Sequence, residues 1–467
     1  MPDPSNIPSQ TFRDTLATVS ATGKRNWIYA QQPKGKWYTR RTVLSWAYFI
    51  LFFSVPFIYI HGVPLFQINI PQGKFILFTK VFWPQDFFIF ALAMIAFIVF
   101  IILFTAAFGR LFCGWACPQT IFMEMLFRRL EYWIEGSAAK QKLLNKAPWN
   151  TDKIMRKTGK HIAFFLLSFL IANTFLAYII GIHDLKKIIT EPVTEHLGGF
   201  FSLIIFTGIF YSVYAFFREQ ACTVVCPYGR LQGVLLDKNS VAVAYDYNRG
   251  EPRGKFKKGN TSGGDCIDCF QCVKVCPTGI DIRNGIQMEC VGCTACIDAC
   301  DRMMESIGKP LGLIRYASEN SIAKKQPLRF TARMKLYSAL LLVIVGLLSF
   351  MIYTRKDVIV TVLRAPGMLY QERGTDSLSN LYNVKLSNKT IHPLELTLEV
   401  DFPGARVEYV GKRSLHVAPQ AQGEGTFFIV LPQQNIKGRK TALQINIYEG
   451  DKKLAHTATS FLGPVQP

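Results

Sequence analysis

Cysteine is missing from large parts of this 467-residue chain, because none precedes Cys113 and none follows Cys300. The last third of the chain therefore offers no disulfide. The first 42 residues lack an apolar run, so the sequence predicts no cleavable signal peptide. Acidic residues are scarce as well: 32 of them stand against 53 lysines and arginines, which leaves a net charge of +21.

Apolar residues make up half of the chain, and they gather in five long blocks instead of being spread along it. Each block is close to the length that crosses the hydrocarbon core of a bilayer. The sequence therefore predicts a polytopic α-helical membrane protein with five transmembrane helices. The blocks are 43–60, which Pro56 interrupts, 87–108, 162–181, 197–217 and 336–353.

The basic residues are distributed unevenly between the segments that connect these blocks. Residues 1–42, 109–160 and 218–335 hold 7, 10 and 18 lysines and arginines, whereas the loops 61–84 and 182–197 hold 2 each. Positive charge favours the cytoplasmic side. The sequence thus predicts a bacterial inner-membrane protein with a cytoplasmic N-terminus and a periplasmic C-terminus. Because topology explains the charge, we expect membrane lipid and no nucleic acid as a partner.

Five regions follow from this pattern. Residues 1–42 form a cytoplasmic N-terminal segment, 43–217 four transmembrane helices, 218–334 a second cytoplasmic segment and 335–354 the fifth helix. Residues 355–467 contain short alternating or apolar runs separated by polar, Gly and Pro residues, which predicts an immunoglobulin-like β-sandwich without catalytic residues. The runs that predict strands are 383–387, 394–400, 426–431 and 442–448.

Eight cysteines form a repeated run within residues 260–305. Each run has the spacing Cys-x2-Cys-x2-Cys-x3-Cys, in which three thiolates surround one four-iron cluster and the fourth crosses to the other. The sequence therefore predicts a two-[4Fe–4S] ferredoxin-like domain on the cytoplasmic side. The first cluster would take Cys266, Cys269, Cys272 and Cys300, and the second Cys290, Cys293, Cys296 and Cys276.

The other four cysteines form two copies of Cys-x3-Cys-Pro. Cys113 and Cys117 follow the second apolar block, Cys222 and Cys226 follow the fourth, and both pairs are expected at the cytoplasmic membrane edge. Proline fits the first turn of a helix, so Cys117 and Cys226 are predicted at helix N-caps. After Pro118, we expect a short interfacial helix with an apolar face; its members are Ile121, Phe122, Met125, Leu126 and Trp133, with Arg128, Arg129 and Glu135 elsewhere.

Several ligands suit these four thiols. Soft thiolates select Cu(I), four sulfurs equally suit a third [4Fe–4S] cluster, and the structural alternative is four small buried side chains. Further candidate residues are the thioethers Met123 and Met125, which could add soft ligands, and the histidines: His61, His183 and His196 are expected at the outer membrane edge, for copper or haem, and His161 near the cysteine turns. Arg218, Arg230 and Arg249 to Arg253 are expected as membrane-edge anchors or partners of cluster charge.

Several strings resemble the CcoG family, also called FixG or RdxA, and the resemblance extends over essentially the whole chain. They are the runs 109–120, 218–228, 249–253, 264–269 and 276–283, and the Cys-Ile-Asp-Ala-Cys-Asp that ends at Asp301. The resemblance implies an accessory protein of cbb3-type cytochrome c oxidase that reduces Cu(II) and supplies Cu(I). It also implies a copper-transporting ATPase and oxidase assembly factors as partners.

The combined prediction is an electron relay. A cytoplasmic donor such as a ferredoxin or flavoprotein reduces the clusters, which pass single electrons to copper near Cys113, Cys117, Cys222 and Cys226. Two other functions remain open: an electron-transfer subunit of a quinol-oxidising complex, similar to NapH or NosR, and a redox-silent assembly scaffold. The prediction also allows a homo-oligomer.

Overall fold

The computed structural model describes residues 17–464 apart from short gaps, so the first 16 of the 42 residues of the predicted N-terminal segment lie outside it. The gaps are residues 20, 21, 23, 71, 72, 256–262, 328, 356, 357, 368, 375, 391, 412–414 and 437. The chain divides into two compact units. One consists of Met1–Pro56 and Phe90–Leu348, and the other of Phe57–Ile89 and Ser349–Pro467.

Helices dominate the first unit. In chain order, its first ten helices are α1 (Lys36–Ser54), α2 (Phe87–Phe108), α3 (Leu111–Trp115), α4 (Pro118–Phe122), α5 (Arg128–Ile134), α6 (Ala138–Lys146), α7 (Thr151–Ile180), α8 (Ile182–Thr190), α9 (Leu197–Ser212) and α10 (Pro227–Leu235), counted over the described residues. They are followed by α11 (Tyr247–Gly250), α12 (Gln271–Lys274), α13 (Ala295–Ser306), α14 (Glu319–Ala323) and α15 (Ala332–Tyr353). Three π-helical turns span Met123–Phe127, Val213–Phe217 and Ala221–Val225.

Four helical segments of the described chain are long and apolar enough to cross a membrane: Phe87–Phe108, Thr151–Ile180, Leu197–Phe217 and Ala332–Tyr353. They coincide with, or extend, the last four predicted blocks, so this is a membrane protein. The first block differs. Its helix α1 begins among basic residues at Lys36 and ends at Ser54, and a 3-10 turn at Val55–Phe57 contains Pro56. Proline cannot donate the helical hydrogen bond, so the helix ends here and is not merely kinked.

Two short strands frame the cysteine-rich part of the first unit. Strand β6 (Ala242–Tyr245) pairs antiparallel with β7 (Ile314–Ala317). Residues from both strands, including Val243, Tyr245 and Ile314, are buried in one core together with cysteines of both predicted cluster sets. The two strands therefore hold the beginning and the end of the cysteine-rich segment together.

The second unit contains the predicted β-sandwich. One sheet has the order β12 (Arg406–Tyr409), β14 (Gln422–Pro432), β10 (Ser377–Asn388), β8 (Val358–Arg364), with β9 (Gln371–Arg373) also on β10. The other has the order β13 (Leu415–Val417), β11 (Leu394–Val400), β15 (Lys440–Glu449), β16 (Lys452–Leu462). Every second side chain of β11 is buried in the core: Leu394, Leu396 and Leu398. This alternation is the period expected of a strand with one buried face. All four predicted strands are confirmed within β10, β11, β14 and β15.

The loop that precedes α2 belongs to the same unit and forms small sheets of its own. They contain β1 (Tyr59–Ile60) with β2 (Val63–Pro64), and β3 (Phe66–Asn69), β4 (Lys74–Leu77) and β5 (Lys80–Phe82). After β5, the buried carboxylate of Asp86 accepts from Lys389 Nζ at 2.5 Å and from Arg355 Nη2 at 3.1 Å. These ion pairs attach the loop to the sandwich.

The segment after Pro118 corrects one sequence prediction. Ile121, Phe122 and Met125 are buried as expected, but Trp133 is 83% exposed while Arg128 and Glu135 are only 2% exposed. The π-helical turn at Met123–Phe127 explains the difference, because its wider turn rotates every later residue relative to an α-helical pattern. The predicted apolar face is therefore wrong after Met125: Trp133 lies on the exposed side of the segment, and Arg128 and Glu135 lie on the buried side.

Candidate metal centres

The first predicted set of cysteines surrounds one small cavity. Cys266, Cys269, Cys272 and Cys300 all line it, together with apolar side chains and Arg283. Arg283 is held by ion pairs to Asp281 at 2.6 Å and Asp268 at 2.5 Å, so its guanidinium is fixed beside the thiols. The crossing of Cys300 into the first set, which the spacing predicted, is present in the geometry.

A second cavity brings together the other predicted set. Cys276, Cys290, Cys293 and Cys296 line it, along with Pro277 and Thr278 from the turn after Cys276. Thr278 Oγ1 lies 3.4 Å from Cys276 Sγ. Among the described residues all of these cysteines are free thiols. The first cavity therefore offers four soft sulfur donors, which is the donor set of a [4Fe–4S] cluster. The second cavity offers its own four, and Cys272 of the first set also lines it.

The two cysteine runs adopt the same local backbone. Phe270, between the second and third cysteines of the first run, has φ 56°, and Thr294, at the equivalent place in the second run, has φ 63°. Each is the residue immediately before a helix, α12 or α13, which carries the third cysteine of its run. The left-handed residue turns the chain so that the second and third sulfurs face one cavity.

The four remaining cysteines come from two equivalent corners. Cys117 is the N-cap of α4 and Cys226 the N-cap of α10, each in extended conformation with proline next, as predicted. Cys113 and Cys222 belong to one apolar cluster, packed with Cys293 and Cys296 of the second set. The structure thus brings the two Cys-x3-Cys-Pro turns together within one chain, beside the second cavity.

Burial makes the thiols of Cys113 and Cys222 reluctant to ionise without a positive partner. Burial raises the pKa of Cys222 to about 12, and the nearby charges of Cys117, Cys113 and Cys226 reinforce this. Burial likewise raises the pKa of Cys113, although the Arg110 guanidinium counteracts it. Thiolates at such positions require a bound cation, so the site suits a metal that displaces the thiol protons.

A glycine permits direct contact between the first Cys-x3-Cys-Pro turn and the second cluster loop. A Cβ added at Gly114 would lie 2.6 Å from Gly292 O and 2.7 Å from Val291 O. On the other side of this contact, Gly292 has φ 67°, and a Cβ there would lie 3.0 Å from Arg110 O. Backbone therefore packs on backbone between Cys113 and the loop that carries Cys290 and Cys293.

Two buried arginines supply positive charge at this contact. Arg41 Nε donates to Gly114 O at 2.7 Å, and Arg110 Nε donates to Gln232 Oε1 at 3.1 Å. Gln232 Oε1 also lies 3.1 Å from Cys113 Sγ. Burial raises the pKa of Cys293 to about 12, and the charge of Arg41 opposes this rise. Burial also raises the pKa of Cys290 to about 11, and the charge of Arg110 opposes it. Both guanidiniums thus favour negative charge on bound sulfur.

Arg218 does not anchor the protein at the membrane edge, which corrects the sequence prediction. Its side chain is 2% exposed and donates to both carboxylate oxygens of Glu131, at 3.1 and 2.9 Å. Arg218 precedes the second Cys-x3-Cys turn, and Glu131 lies on α5 downstream of the first. Lys160 Nζ lies 3.6 Å from Glu131, and Arg128 and Glu219 extend the same buried network. The ion pairs therefore connect the segments that carry the two turns.

The other predicted ligands have packing or hydrogen-bond partners, or positions in turns and helices, that do not depend on the cysteines. Met123 and Met125 are buried in an aromatic core, which supports the packing interpretation of Met125. His161 Nδ1 is 2.8 Å from Tyr211 OH, and His61 occupies a turn between β1 and β2. His183 lies on α8, and His196 precedes α9. No histidine lines either cluster cavity.

Sequence reasoning overlooked several residues around these centres. Gln232 and Gly114 lie in the cysteine site itself, and their contacts join segments that are far apart in sequence. Glu191 and Glu195 place carboxylates within 4.8 Å of a ring nitrogen of His196, a grouping that could hold a metal ion. These two glutamates lie within five residues of His196, a proximity that the sequence does reveal.

Comparison with protein families matches three parts of the chain. A 4Fe-4S dicluster domain matches residues 217–319, and a 4Fe-4S binding domain matches residues 90–137, which include Cys113 and Cys117. Residues 348–464 match the immunoglobulin-like fold found at the C-terminus of FixG. These matches agree with the cysteine cavities and with the sandwich.

Three curated proteins are similar over long stretches. RdxA of Cereibacter sphaeroides is 34% identical over 81% of this chain and 83% of its own length. RdxB of the same organism is 33% identical over 69% of this chain and 70% of its own length. The nitrogen fixation protein FixG of Rhizobium meliloti is 38% identical over 56% of this chain, which spans half of that protein.

Proposed function

Because the chain belongs to the FixG/RdxA family, whose members it matches with its iron–sulfur and immunoglobulin-like regions, we propose that this membrane electron-transfer protein reduces Cu(II). The product Cu(I) would serve the assembly of a cbb3-type cytochrome c oxidase. The reaction takes one electron per copper ion and forms no covalent bond. Its substrate is copper, and its resident cofactors are two [4Fe–4S] clusters.

The packing of Gly114 on Gly292 is the observation that supports this proposal most strongly. It places Cys113 against the loop of Cys290 and Cys293, with backbone atoms in contact between them. Electron transfer between two centres requires such proximity. The four thiols at the two Cys-x3-Cys-Pro turns are therefore in the right place to hold the acceptor of an electron that leaves the second cysteine set.

The eight cysteines of the two cavities would hold the clusters. Cys266, Cys269, Cys272 and Cys300 form one ligand set; Cys276, Cys290, Cys293 and Cys296 form the other. When bound, such clusters exchange single electrons. The chain contributes the surroundings: Arg283, Arg41 and Arg110 favour the added negative charge of reduction, and the apolar walls exclude water.

Copper binding follows from the chemistry of the other four thiols. Thiolates prefer soft Cu(I) over harder Cu(II), so Cys113, Cys117, Cys222 and Cys226 stabilise the product more than the substrate. Burial raises the pKa of the free Cys222 thiol to about 12, so binding requires that metal replaces protons. The protonated Cys113 thiol donates to Gln232 Oε1, so metal binding replaces this hydrogen bond.

The distribution of basic residues supports an orientation. We place the cysteine-rich segment in the cytoplasm and the sandwich in the periplasm of a bacterial inner membrane. Copper would then be reduced at the cytoplasmic edge and pass to a copper-transporting ATPase. The sequence predicts no catalytic residues in the sandwich, so we assign the sandwich to docking of oxidase assembly factors.

Replacement of the four turn cysteines tests the copper site. The variant with Cys113, Cys117, Cys222 and Cys226 all changed to Ser should keep the iron and the electron paramagnetic resonance signals of both clusters. Its Cu(II) reduction, followed with a Cu(I)-specific chelator, should be abolished. Thr223→Ala, in the same turn, is the control and should reduce Cu(II) normally. Unchanged reduction in the serine variant would exclude these thiols as the copper site.

A third cluster is the second candidate for the four thiols, because the 4Fe-4S binding domain match at residues 90–137 includes Cys113 and Cys117. The protein would then transfer electrons to a partner instead of to copper. Metal analysis after anaerobic purification separates the two functions: about eight irons per chain with bound copper support the copper site, and about twelve irons support the third cluster.

A further inference from the structure

An apolar cavity of about 330 Å³ lies between the membrane helices α2 and α15. Its walls include four phenylalanines, of which Phe100, Phe104 and Phe108 come from α2 and Phe330 from the residues before α15. Met334 and Ser338 continue the wall along α15. A cavity of this size and apolarity is typical of sites for small organic ligands. Because both helices are apolar enough to cross a membrane, an amphipathic ligand can enter from the lipid.

Polar side chains mark one end of this cavity. Asn239 and Arg329 line it near Phe108 and Val241, at the same end of the two helices as the cysteine-rich segment. Asn320 Nδ2 donates to Asn239 Oδ1 at 2.7 Å, which holds the Asn239 amide in place. Amide and guanidinium groups are hydrogen-bond donors for carbonyl oxygens. The cavity therefore suits a ligand with a flat polar ring at this end and an apolar tail deeper between the helices.

The polar end is also close to the second cysteine set. Phe108 lines the apolar cavity and, in addition, a smaller cavity whose walls contain Cys290 and Gly292. Val241 N donates to Ala107 O at 3.0 Å, so the strand that leads to Val243 and the second cysteine cavity is fixed to the end of α2. The aromatic ring of Phe108 thus lies between the apolar cavity and the small cavity that Cys290 lines.

We propose that this cavity binds a membrane hydroquinone and that the hydroquinone is the electron donor of the protein. Oxidation of one hydroquinone to the quinone releases two electrons and two protons. Each of the two cysteine-bound clusters accepts one electron, and the protons pass to water at the exposed Arg329 end. This inference rests on the proposed function, which supplies the acceptor of the electrons. The hydroquinone takes the place of the cytoplasmic donor that the sequence led us to expect.

A cavity-filling substitution on α15 tests the proposal. Ser338→Trp fills the cavity, whereas Ala339→Trp puts the same side chain on the neighbouring exposed position, which does not line it. Anaerobic full-length protein is mixed with a short-chain decyl hydroquinone, and cluster reduction is followed by absorbance. We expect reduction at least tenfold slower in Ser338→Trp than in wild type and an unchanged rate in Ala339→Trp. Dithionite should reduce all three proteins equally.

Binding gives a readout that does not depend on the clusters. An azidoquinone should photolabel the peptides 100–108, 239–241 or 329–338, which line the cavity, in wild type and Ala339→Trp, and labelling should be lost in Ser338→Trp. Equal reduction rates in all three proteins, or labelling elsewhere, would overturn the proposal. So would bound phospholipid in the cavity together with no reduction by hydroquinone, because the cavity would then be a lipid site.

The same samples separate this inference from the proposed function. Cu(II) added to dithionite-reduced Ser338→Trp should reoxidise it at the wild-type rate, because the cavity is not part of the copper site. If Cu(II) fails to reoxidise reduced wild-type protein while the hydroquinone still reduces it, the hydroquinone site stands and the copper proposal fails.

Discussion

Gly114→Ala is the substitution that most directly tests the contact between the Cys113 turn and the second cluster loop. The added Cβ would lie 2.6 Å from Gly292 O, 2.7 Å from Gly292 C and 2.7 Å from Val291 O. All three atoms are backbone, so no side chain can rotate away. To restore an ordinary contact of 3.4 Å, the turn and the loop must separate by 3.4 − 2.6 = 0.8 Å.

This separation has a stability and a rate consequence. Overpacking in a close-packed interior costs about 1–3 kcal/mol of unfolding free energy. Electron transfer slows as the donor and the acceptor move apart. We therefore expect Gly114→Ala to keep both clusters and to transfer electrons to Cu(II) measurably more slowly than wild type.

The assay is a single-turnover measurement with protein whose clusters have been reduced by dithionite and then freed of excess reductant. Reoxidation by Cu(II) is followed by absorbance, and iron analysis verifies the clusters. Gly159→Ala is the matched control, because nothing lies within 4 Å of its added Cβ and the residue is inside helix α7. A wild-type reoxidation rate in Gly114→Ala would refute the idea that electrons leave through this contact. An equal loss in both variants would point to general destabilisation.

Three further predictions concern stability and metal content. Arg218→Met leaves the buried Glu131 without its bidentate partner and should lower the unfolding free energy by about 3–5 kcal/mol. The double variant Arg218→Met with Glu131→Met should recover most of this lost stability, and denaturant titrations measure both effects. Lys389→Met should lower the unfolding free energy by a smaller amount, because Arg355 still pairs with the buried Asp86, while Lys385→Met, at an exposed ion pair, should change it by less than about 1 kcal/mol. Removal of iron by a chelator should abolish Cu(II) reduction even though all four turn cysteines remain.

The sequence predicted the parts of this protein that depend on local spacing. Strand β11 coincides with the predicted run at Leu394–Val400, because alternation along a half-buried strand is visible in one segment. The cysteine spacing likewise predicted that Cys300 joins the first set and Cys276 the second, as the cavities show. Both features arise within one repeat or one strand, where periodicity determines which side chains meet.

Two kinds of feature could not be predicted in this way. One is the side of a helix on which a residue lies after an irregular turn, and the other is a contact between segments that are distant in sequence. The π-helical turn at Met123–Phe127 rotates the later residues, so Arg128 points inward although an α-helical pattern places it outside. Arg218 has the sequence context of a membrane-edge residue, but Glu131, 87 positions away, holds it in the interior. Gly114 has no sequence signal at all, because the atoms that exclude a side chain there belong to residues 291 and 292.

The order of the centres suggests why the chain needs two cysteine sets. Cys293 and Cys296 pack with Cys113 and Cys222, whereas Cys266 and Cys300 share a core only with the second set. On the proposed route from the apolar cavity to the four turn thiols, the first set would therefore lie to one side. A hydroquinone releases two electrons, while Cu(II) accepts one. A second storage site beside the route resolves this mismatch, so loss of the first set alone should slow hydroquinone oxidation more than reoxidation by Cu(II).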